Sequence, residues 1–553
     1  MSLFGKKWTI LYERKPNENL FAALSFARNI EDPGTFFADT EMSDLSDPFL
    51  FKNMQKAVER IFAAIKNGER IAIYGDYDVD GISGTAILIH TLNFLGAKVT
   101  YRIPSRLDEG YGLHAKYVEE LAKQDVKLLI TVDTGIACVN EIALARERGM
   151  DTIVTDHHAI PKNFTVDFLA FAILHPLEDN DYPHKNLSGS AVAFKLAAAL
   201  LKVSENKTQN SDFTKALTDL AALGIVGDCV PLTGENRKIV KIGLKQMGIT
   251  KWDGLKEILK LAGVWDKQDF SAFTIGFQVS PRLNASGRMD SPYWALQTLL
   301  ASGEEAAKKG EKLEGFNRLR RSMTEKACAE AEQMVSQDDL IILAGSPTWS
   351  SGILGLIAGK ILESRGRPAF IMEDKGGELV GSVRSLSGFN AVEALNAASE
   401  HLTHFGGHEL AAGFRLKKES LEAFKEALLK HAKMVHQSSP FIPMLKIDTT
   451  LRAEDLTLEN IEKLNTFAPF GQGNSHPVLL IKDAKIIDTR KLGKDGTHLR
   501  CIIKIGPQTH ECMAFGLAHL EPQIRSAKHL VVTLDKGSWQ GEERIEMKLI
   551  DAE

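Results

Sequence analysis

Between residues 70 and 158 short apolar runs alternate with amphipathic segments, and this alternation constrains the fold more than any other feature of the chain. RIAIYG (70–75), AKVTYRIP (97–104), VKLLITVD (126–133) and DTIVTDHH (151–158) read as strands. GISGTAILIHTLNFLG (81–96), HAKYVEELAKQ (114–124) and CVNEIALARERG (138–149) lie between them and read as helices. Strands that are apolar along their whole length need cover on both faces, so the pattern predicts a parallel sheet between helical layers, an α/β fold. Ahead of it Phe51, Met54, Ala57, Val58, Ile61 and Phe62 recur at helical spacing, and helical segments dominate again from about Ser188 to Lys267.

The 553 residues leave room for about three or four domains. Residues 304–336 are rich in Glu, Lys, Arg and Ala and contain no proline. They predict one helix of about 45–50 Å, and a mostly polar helix of that length bridges two domains. A second, smaller αβ region follows, with strands at DLIILAG (339–345), RPAFIME (367–373) and ELVGSVRS (378–385) and helices at 352–365 and 391–401. After Pro443 five short strands are expected in VLLIKDAKIIDTR, HLRCIIKIG, HECMAFGL, HLVVTLDKG and RIEMKLID, suggesting a small β-barrel of the OB type. The expected organisation is an irregular N-terminal arm (1–48), a first αβ domain (49–303), the connecting helix (304–337), the second αβ domain (338–440) and the barrel (441–553).

No apolar run approaches the ~20 residues of a membrane span. The N-terminus, MSLFGKKWTILYERKP, lacks the apolar core and cleavage site of a secretory signal. Cys138, Cys229, Cys328, Cys501 and Cys512 are scattered and never form CxxC, which excludes a disulfide scaffold or zinc ribbon and fits a reducing cytoplasm. The formal net charge of −5 argues against binding nucleic acid by bulk charge, though not against a local basic groove.

The chemistry concentrates at strand ends. Asp76, Asp78 and Asp80 alternate in GDYDVDG directly after the first strand; Asp133 ends the third, and Asp156, His157 and His158 end the fourth. Asp228 ends an apolar helix in GIVGDCVPL. Such ends line the carboxyl edge of a parallel sheet, where α/β folds gather ligands. Close carboxylates raise one another's pKa, and a pair of divalent metals relieves the conflict. Oxygen ligands with one or two imidazoles suit Mn²⁺ or Mg²⁺, the histidine tilting the choice toward Mn²⁺. Two such ions support in-line phosphoryl displacement. An Asp after a strand also commonly caps the next helix. A DxD phosphatase of the haloacid-dehalogenase type would leave Asp76 and the Asp-His-His triplet unexplained.

In order, DYDVDG, TVDTG, DHH and GIVGD resemble the motifs of the DHH phosphoesterases, and among them the RecJ family of bacterial exonucleases specific for single-stranded DNA. The resemblance extends through DPFLFKNMQKAVERI (47–61), YRIPSRLDEGYGL (101–113), LSGSAVAFKLAAAL (187–200), SPRLNASGRM (280–289), FGGHELAAGF (405–414) and PFGQGNSHP (469–477), leaving about the first forty residues unmatched. It implies a DHH catalytic domain, a DHH-associated substrate-binding domain and an OB-fold. It also implies a site of two metal ions held by Asp78 and Asp80, with Asp76 on the same loop a ligand or a close support of the ligands, bridged by Asp133 and completed by His157 and Asp228. His158 would face the scissile phosphate and Asp156 would orient the neighbouring histidine. Arg106, Arg282, Asn284 and Arg288 become candidates for substrate contact. So do Ser382 and Arg384 on one strand face, and Gly406, Gly407 and His408 in a glycine-rich loop.

The implied activity is 5′→3′ hydrolysis of single-stranded DNA to 5′-mononucleotides by a cytoplasmic bacterial monomer, in recombination and repair. The implied partners are a single-strand-binding protein and a helicase. Two departures from the family pattern stand out: Trp349-Ser350 replaces a Trp-His pair, and Ser280 replaces a glycine. Phe467, Phe470 and Trp539 are candidates for base stacking in the barrel, whereas Phe515 is expected in its core. A DHH phosphodiesterase of cyclic dinucleotides would generally lack residues 445–553, and a non-catalytic DNA-binding relative would have lost motif carboxylates. Two divalent cations at the site would bring the net charge of −5 to about −1, leaving DNA affinity to a local basic channel.

Overall fold

The computed structural model describes residues 2–161, 169–178, 181–205, 207–336, 339–438, 443–539 and 542–553. The alternating region folds into five parallel strands: β1 (Arg70–Gly75), β2 (Lys98–Arg102), β3 (Val126–Val132), β4 (Asp151–Thr155) and β5 (Ala172–Leu174). Their order is β2-β1-β3-β4-β5. The fifth strand adds to the expected set; three residues are too few to show a periodicity. DTIVTDHH is strand only to Thr155, so Asp156–His158 leave the sheet at its carboxyl edge.

Three helices cover the site side of this sheet: α1 (Val79–Phe94), α2 (Gly189–Val203) and α3 (Thr218–Gly227). All are apolar nearly all round, as central helices must be. A π-helical turn, Thr274–Val279, leads directly into α4 (Ser280–Met289). The predicted long helix is α5 (Gly303–Met334), whose 32 residues span about 48 Å and run through Gly310 and Gly315 unbroken. It packs on α4 near its start and reaches the second αβ unit at its end, where Trp349 Nε1 donates to Glu330 Oε2 at 2.8 Å.

That second unit contains β6 (Ile342–Ser346), α6 (Leu354–Arg365), β7 (Ala369–Asp374), β8 (Glu378–Arg384), β9 (His404–His408) and β10 (Ala411–Lys417). The sheet runs β9-β10-β8-β7-β6 and is parallel only between β6 and β7. FGGHELAAGF, expected as a loop, is the β9–β10 hairpin: Gly406 faces Gly413 across it. Its glycines hide the strand from a side-chain pattern, yet ladder hydrogen bonds need only backbone.

The C-terminal unit is a seven-stranded mixed sheet rather than the expected five strands. VLLIKDAKIIDTR divides at Asp483 (φ +55°) into strands Leu479–Ile481 and Lys485–Leu492, and Thr449–Thr450 adds an edge. Phe467 is buried against Phe21, Phe36 and Phe37, so it packs the core instead of stacking on bases. Phe515 shows the reverse: it lies past the end of strand Gln508–Ala514, before a turn at Gly516 (φ +74°), and is 54% exposed. The side chain of Trp539 and the expected boundaries at 337–338 and 440–441 lie outside the described residues.

The first 48 residues are not irregular. Strand Lys7–Ile10 pairs in parallel with Met444–Ile447, and helix Leu20–Ala27 inserts Leu20 and Leu24 into the C-terminal core. These short apolar pieces make sense only against a partner at the other end of the chain. Among the described residues no helix is long and apolar enough to cross a membrane.

Candidate metal centre

Strand ends β1, β3 and β4 and the end of α3 meet at one point. After β1, Asp76 N donates to Val132 O at 3.2 Å, pinning the acidic loop to the end of β3. Asp78 caps α1, its Oδ1 accepting from Asp80 N at 2.9 Å and Gly81 N at 3.3 Å. The helix-cap reading is thus realised at Asp78, which nevertheless also groups with Asp76 and Asp133 in a set of potential ligand atoms within 4.8 Å of one another. Asp80 is fully buried in the first turn of α1. Its carboxylate accepts from Ser188 Oγ at 2.9 Å, Gly189 N at 2.6 Å and Ser190 N at 3.0 Å, so it sits on the positive end of α2. Asp133 takes a left-handed backbone (φ +61°), turning its side chain out of the β3 line into the cluster.

His157 lies among three carboxylates. Its Nε2 is 3.1 Å from Asp133 Oδ1, 3.5 Å from Asp228 Oδ2 and 3.8 Å from Asp80 Oδ2. His158 points differently, its Nδ1 2.9 Å from Asp156 Oδ1 and 3.7 Å from Asp133 Oδ1. Asp156 holds the whole turn: Oδ1 also accepts from the backbone N–H of His157 (2.7 Å) and His158 (3.1 Å), and Oδ2 from that of Ile136 (2.9 Å).

This arrangement fits a cation. Among the described residues Asp76 Oδ1, Asp133 Oδ1 and His157 Nε2 are buried and find no hydrogen-bond partner, a costly state for polar atoms unless something binds them. Burial, then Asp78, pushes the Asp76 carboxyl well above its ordinary range, and burial, then Asp80, does the same to Asp133. Burial with Asp80 and Asp78 lifts Asp228 to about 8. Asp156 differs: burial is outweighed by His158 and the backbone donors, which hold it at about 2. Asp76 and Asp133 each keep a buried oxygen without a donor among the described residues, whereas Asp80 and Asp156 are well donated and Asp156 orients His158. Carboxylate oxygens with imidazole nitrogen form a donor set suited to Mn²⁺ or Mg²⁺.

Comparisons with known proteins agree with this geometry. Sequence models match residues 70–225 (DHH family, N-terminal domain), 337–434 (DHHA1 domain) and 447–551 (RecJ OB domain). The single-stranded-DNA-specific exonuclease RecJ of Bacillus subtilis (strain 168) is 36% identical over 544 residues, 96% of this chain and 68% of that protein. That of Haemophilus influenzae is 30% identical over 563 residues, covering 97% and 96%. The chain belongs to the RecJ family. The crystal structure of RecJ from Thermus thermophilus with Mn²⁺ matches with a TM-score of 0.82 at 27% identity, over 99% of this chain and 79% of that one. The DHH, DHH-associated and OB architecture expected from the residues is borne out, and family structures hold Mn²⁺ or Mg²⁺.

The expected substrate residues divide. Arg282 is engaged by Glu314 Oε2 at 2.7 Å and by the carbonyls of Gln278 and Leu261, bracing α4 against α5. Asn284 Oδ1 accepts from Val79 N at 3.0 Å and anchors the start of α1. Both were expected at the substrate, and both are occupied inside the protein. Arg106 stacks 4.9 Å over the Tyr77 ring, Arg288 donates to Gly352 O at 2.9 Å across the two αβ units, and Arg384 donates to Ser382 Oγ at 3.3 Å. Burial, then the like charges of Arg106, Arg320 and Arg384, holds the Arg288 guanidinium well below its usual pKa. Arg320, on α5, was hidden in the polar helix pattern. Gly406, Gly413 and Ser382 form one row across β9, β10 and β8, and His408, Ala411 and Arg384 the next, so the glycines leave the sheet open beside Ser382.

Other contributors escaped the sequence reading. Tyr111 donates to Asp133 O at 3.3 Å and lies 3.0 Å from His158 Nδ1. The buried His175 contacts His158 O at 2.9 Å. Of the two departures, Ser350 Oγ accepts from Gly352 N at 3.4 Å, and Ser280 is buried beside Gly227, its hydroxyl without a hydrogen bond among the described residues.

Proposed function

We propose that this chain hydrolyses single-stranded DNA from its 5′ end to 5′-mononucleotides. Two divalent cations, Mn²⁺ in preference to Mg²⁺, would be held by Asp76, Asp78, Asp80, Asp133, His157 and Asp228. The observation that carries this reading is the convergence at one sheet edge of three buried ligand atoms, Asp76 Oδ1, Asp133 Oδ1 and His157 Nε2, that make no hydrogen bond among the described residues. Relatives named as single-stranded-DNA-specific exonucleases support the substrate class. When bound, such cations supply a nucleophilic water at neutral pH and neutralise charge on the phosphodiester.

The chain's own groups do the positioning. Asp156 keeps a proton on His158 Nδ1 at 2.9 Å, leaving Nε2 for a phosphate oxygen. Burial works against charge on His158, but Asp156 outweighs it and raises the imidazole to about 9, so it can donate to a developing negative charge at neutral pH. Arg106, Arg288 and Arg384 bind backbone phosphates. A methyl at Gly355 would lie 2.8 Å from Arg384 Nη2 and 3.3 Å from Ser382 Oγ, so the first turn of α6 overlies this pair. Leu356 N and Ile357 N already donate to Ile353 O, which leaves the N–H groups of Leu354 and Gly355, with the hydroxyl and the guanidinium, to suit a terminal 5′-phosphate. Gly406, Gly407 and His408 flank the strand's entry to that site.

The enzyme would act as a monomer in a bacterial cytoplasm, in recombination and repair, beside a helicase and a single-strand-binding protein. The test incubates the protein and Mn²⁺ with 5′-labelled single-stranded DNA, its duplex and a cyclic dinucleotide. Labelled mononucleotide should appear from the single strand. Turnover of the cyclic dinucleotide alone would reassign the chain, and no release from the single strand would sink the proposal.

A further inference from the structure

Phe273 and Phe277 are 61% and 71% exposed, and their rings stack on each other with centroids 4.7 Å and planes 23° apart. A phenyl ring left in water forgoes burial on the order of 2 kcal/mol, so a paired exposure calls for an occupant. Phe273 immediately precedes the π-helical turn Thr274–Val279 and Phe277 lies within it, a backbone form frequent at functional sites. That turn packs on α3: a methyl at Gly276 would lie 3.6 Å from Val226 Cγ1, and one at Gly227 would lie 3.1 Å from Ser280 Oγ. The next residue of the chain is Asp228, at the metal centre. Past Asp228 the backbone turns at Cys229 (φ +61°) and within four residues meets the C-terminal unit, where Leu232 N donates to Gln472 O at 2.7 Å and a methyl at Gly473 would meet Pro231 at 3.0 Å. The two rings therefore belong to the turn packed on the end of α3, the helix that leads into Asp228 and the segment reaching the OB domain.

We propose that Phe273 and Phe277 form a stacking platform for bases of a single strand crossing from the OB domain to the metal centre. This rests on the exonuclease reading. A phenyl face offers no hydrogen bond and every base has a π-face, so such a platform grips any sequence and lets the strand advance. Its position, one helix end away from Asp228, sets bases in line ahead of the cleavage site while the arginine cluster holds phosphates.

The test places 2-aminopurine at successive positions of a single-stranded 20-mer and measures its fluorescence with full-length protein in EDTA. Wild type should quench it at one or two adjacent positions. F273A/F277A should abolish that quenching and weaken binding about tenfold per ring, about 1.4 kcal/mol each. F273L/F277L should fail likewise, whereas F277W should retain both. With Mn²⁺, the ratio of kcat/KM for the 20-mer to that for a 5′-phosphorylated dinucleotide should fall in the alanine double variant. Wild-type quenching and affinity in F273L/F277L would overturn the platform, as would an unchanged ratio. Quenching by a wild-type protein that releases no mononucleotide would instead strike the exonuclease reading and leave the platform standing.

Discussion

A methyl added at Gly189, the first residue of α2, would lie 2.5 Å from Asp133 Cβ and Oδ1 and 2.7 Å from its Cγ. Relaxed contacts between such atoms are about 3.5 Å, so Gly189→Ala demands a movement of about 1 Å. Asp133 has little freedom to give way: its backbone is left-handed at φ +61°, and Tyr111 holds its carbonyl at 3.3 Å. The start of α2 has little either, because Ser188, Gly189 and Ser190 all donate to Asp80. Overpacking of this kind costs about 1–3 kcal/mol, offset by up to about 1 kcal/mol from replacing a helical glycine with alanine. A displacement of ~1 Å at the chemistry costs roughly 10²-fold in rate. Gly189→Ala should therefore stay folded, with a thermal midpoint lower by a few degrees. Its kcat/KM on single-stranded DNA should be about a hundredfold lower, and its Mn²⁺ requirement higher. Mononucleotide release across a Mn²⁺ titration, with thermal denaturation of the same samples, measures both effects. Gly315→Ala is the control: nothing lies within 4 Å of its position on α5, so it should stabilise by about 0.5–1 kcal/mol and leave the rate alone. A wild-type rate and Mn²⁺ requirement in Gly189→Ala would refute the argument that this contact positions Asp133.

Mn²⁺ at a hundred times its Kd should raise the protein's stability by about 2.7 kcal/mol, seen as a higher thermal midpoint than in EDTA, and His157→Ala should abolish most of that shift. Asp219, buried on α3 and accepting from Thr250 Oγ1 (2.6 Å), Trp252 Nε1 (2.9 Å) and Leu220 N (2.6 Å), is pushed up from 3.8 to about 7 by burial. Its contribution to stability is complete below about pH 4 and is lost as pH rises through 7, of the order of 4 kcal/mol in all. Urea unfolding at pH 5 and pH 8 should accordingly show Asp219→Asn gaining on wild type at the higher pH. Arg237 of the catalytic domain is buried without a carboxylate and donates to the carbonyls of Phe36 (3.0 Å), Thr466 (3.2 Å), Phe467 (3.4 Å) and Ala468 (2.8 Å), joining three parts of the chain. Arg237→Met should cost roughly 2–4 kcal/mol and speed proteolytic release of the C-terminal unit; unchanged protease resistance would count against that role.

Local pattern was enough to read the parallel sheet and its acidic edge. Apolar runs bounded by helices admit few other folds, and an Asp at a strand end must emerge at the edge where chain topology places ligands. α5 was equally legible, because helical propensity and the lack of proline are local properties. Local pattern could not report what depends on distant partners. The arm seemed irregular because its apolar residues are completed by the C-terminal core, and the β9–β10 hairpin seemed a loop because glycine carries no side-chain period. The same limit applies at the site. Long-range packing makes Arg282 and Asn284 braces and sets Tyr111 and His175 against the histidine turn. Each outcome turns on which of several polar groups wins a particular neighbour. That competition is settled by packing between elements far apart in the chain, where burial makes an unpaired donor or acceptor costly.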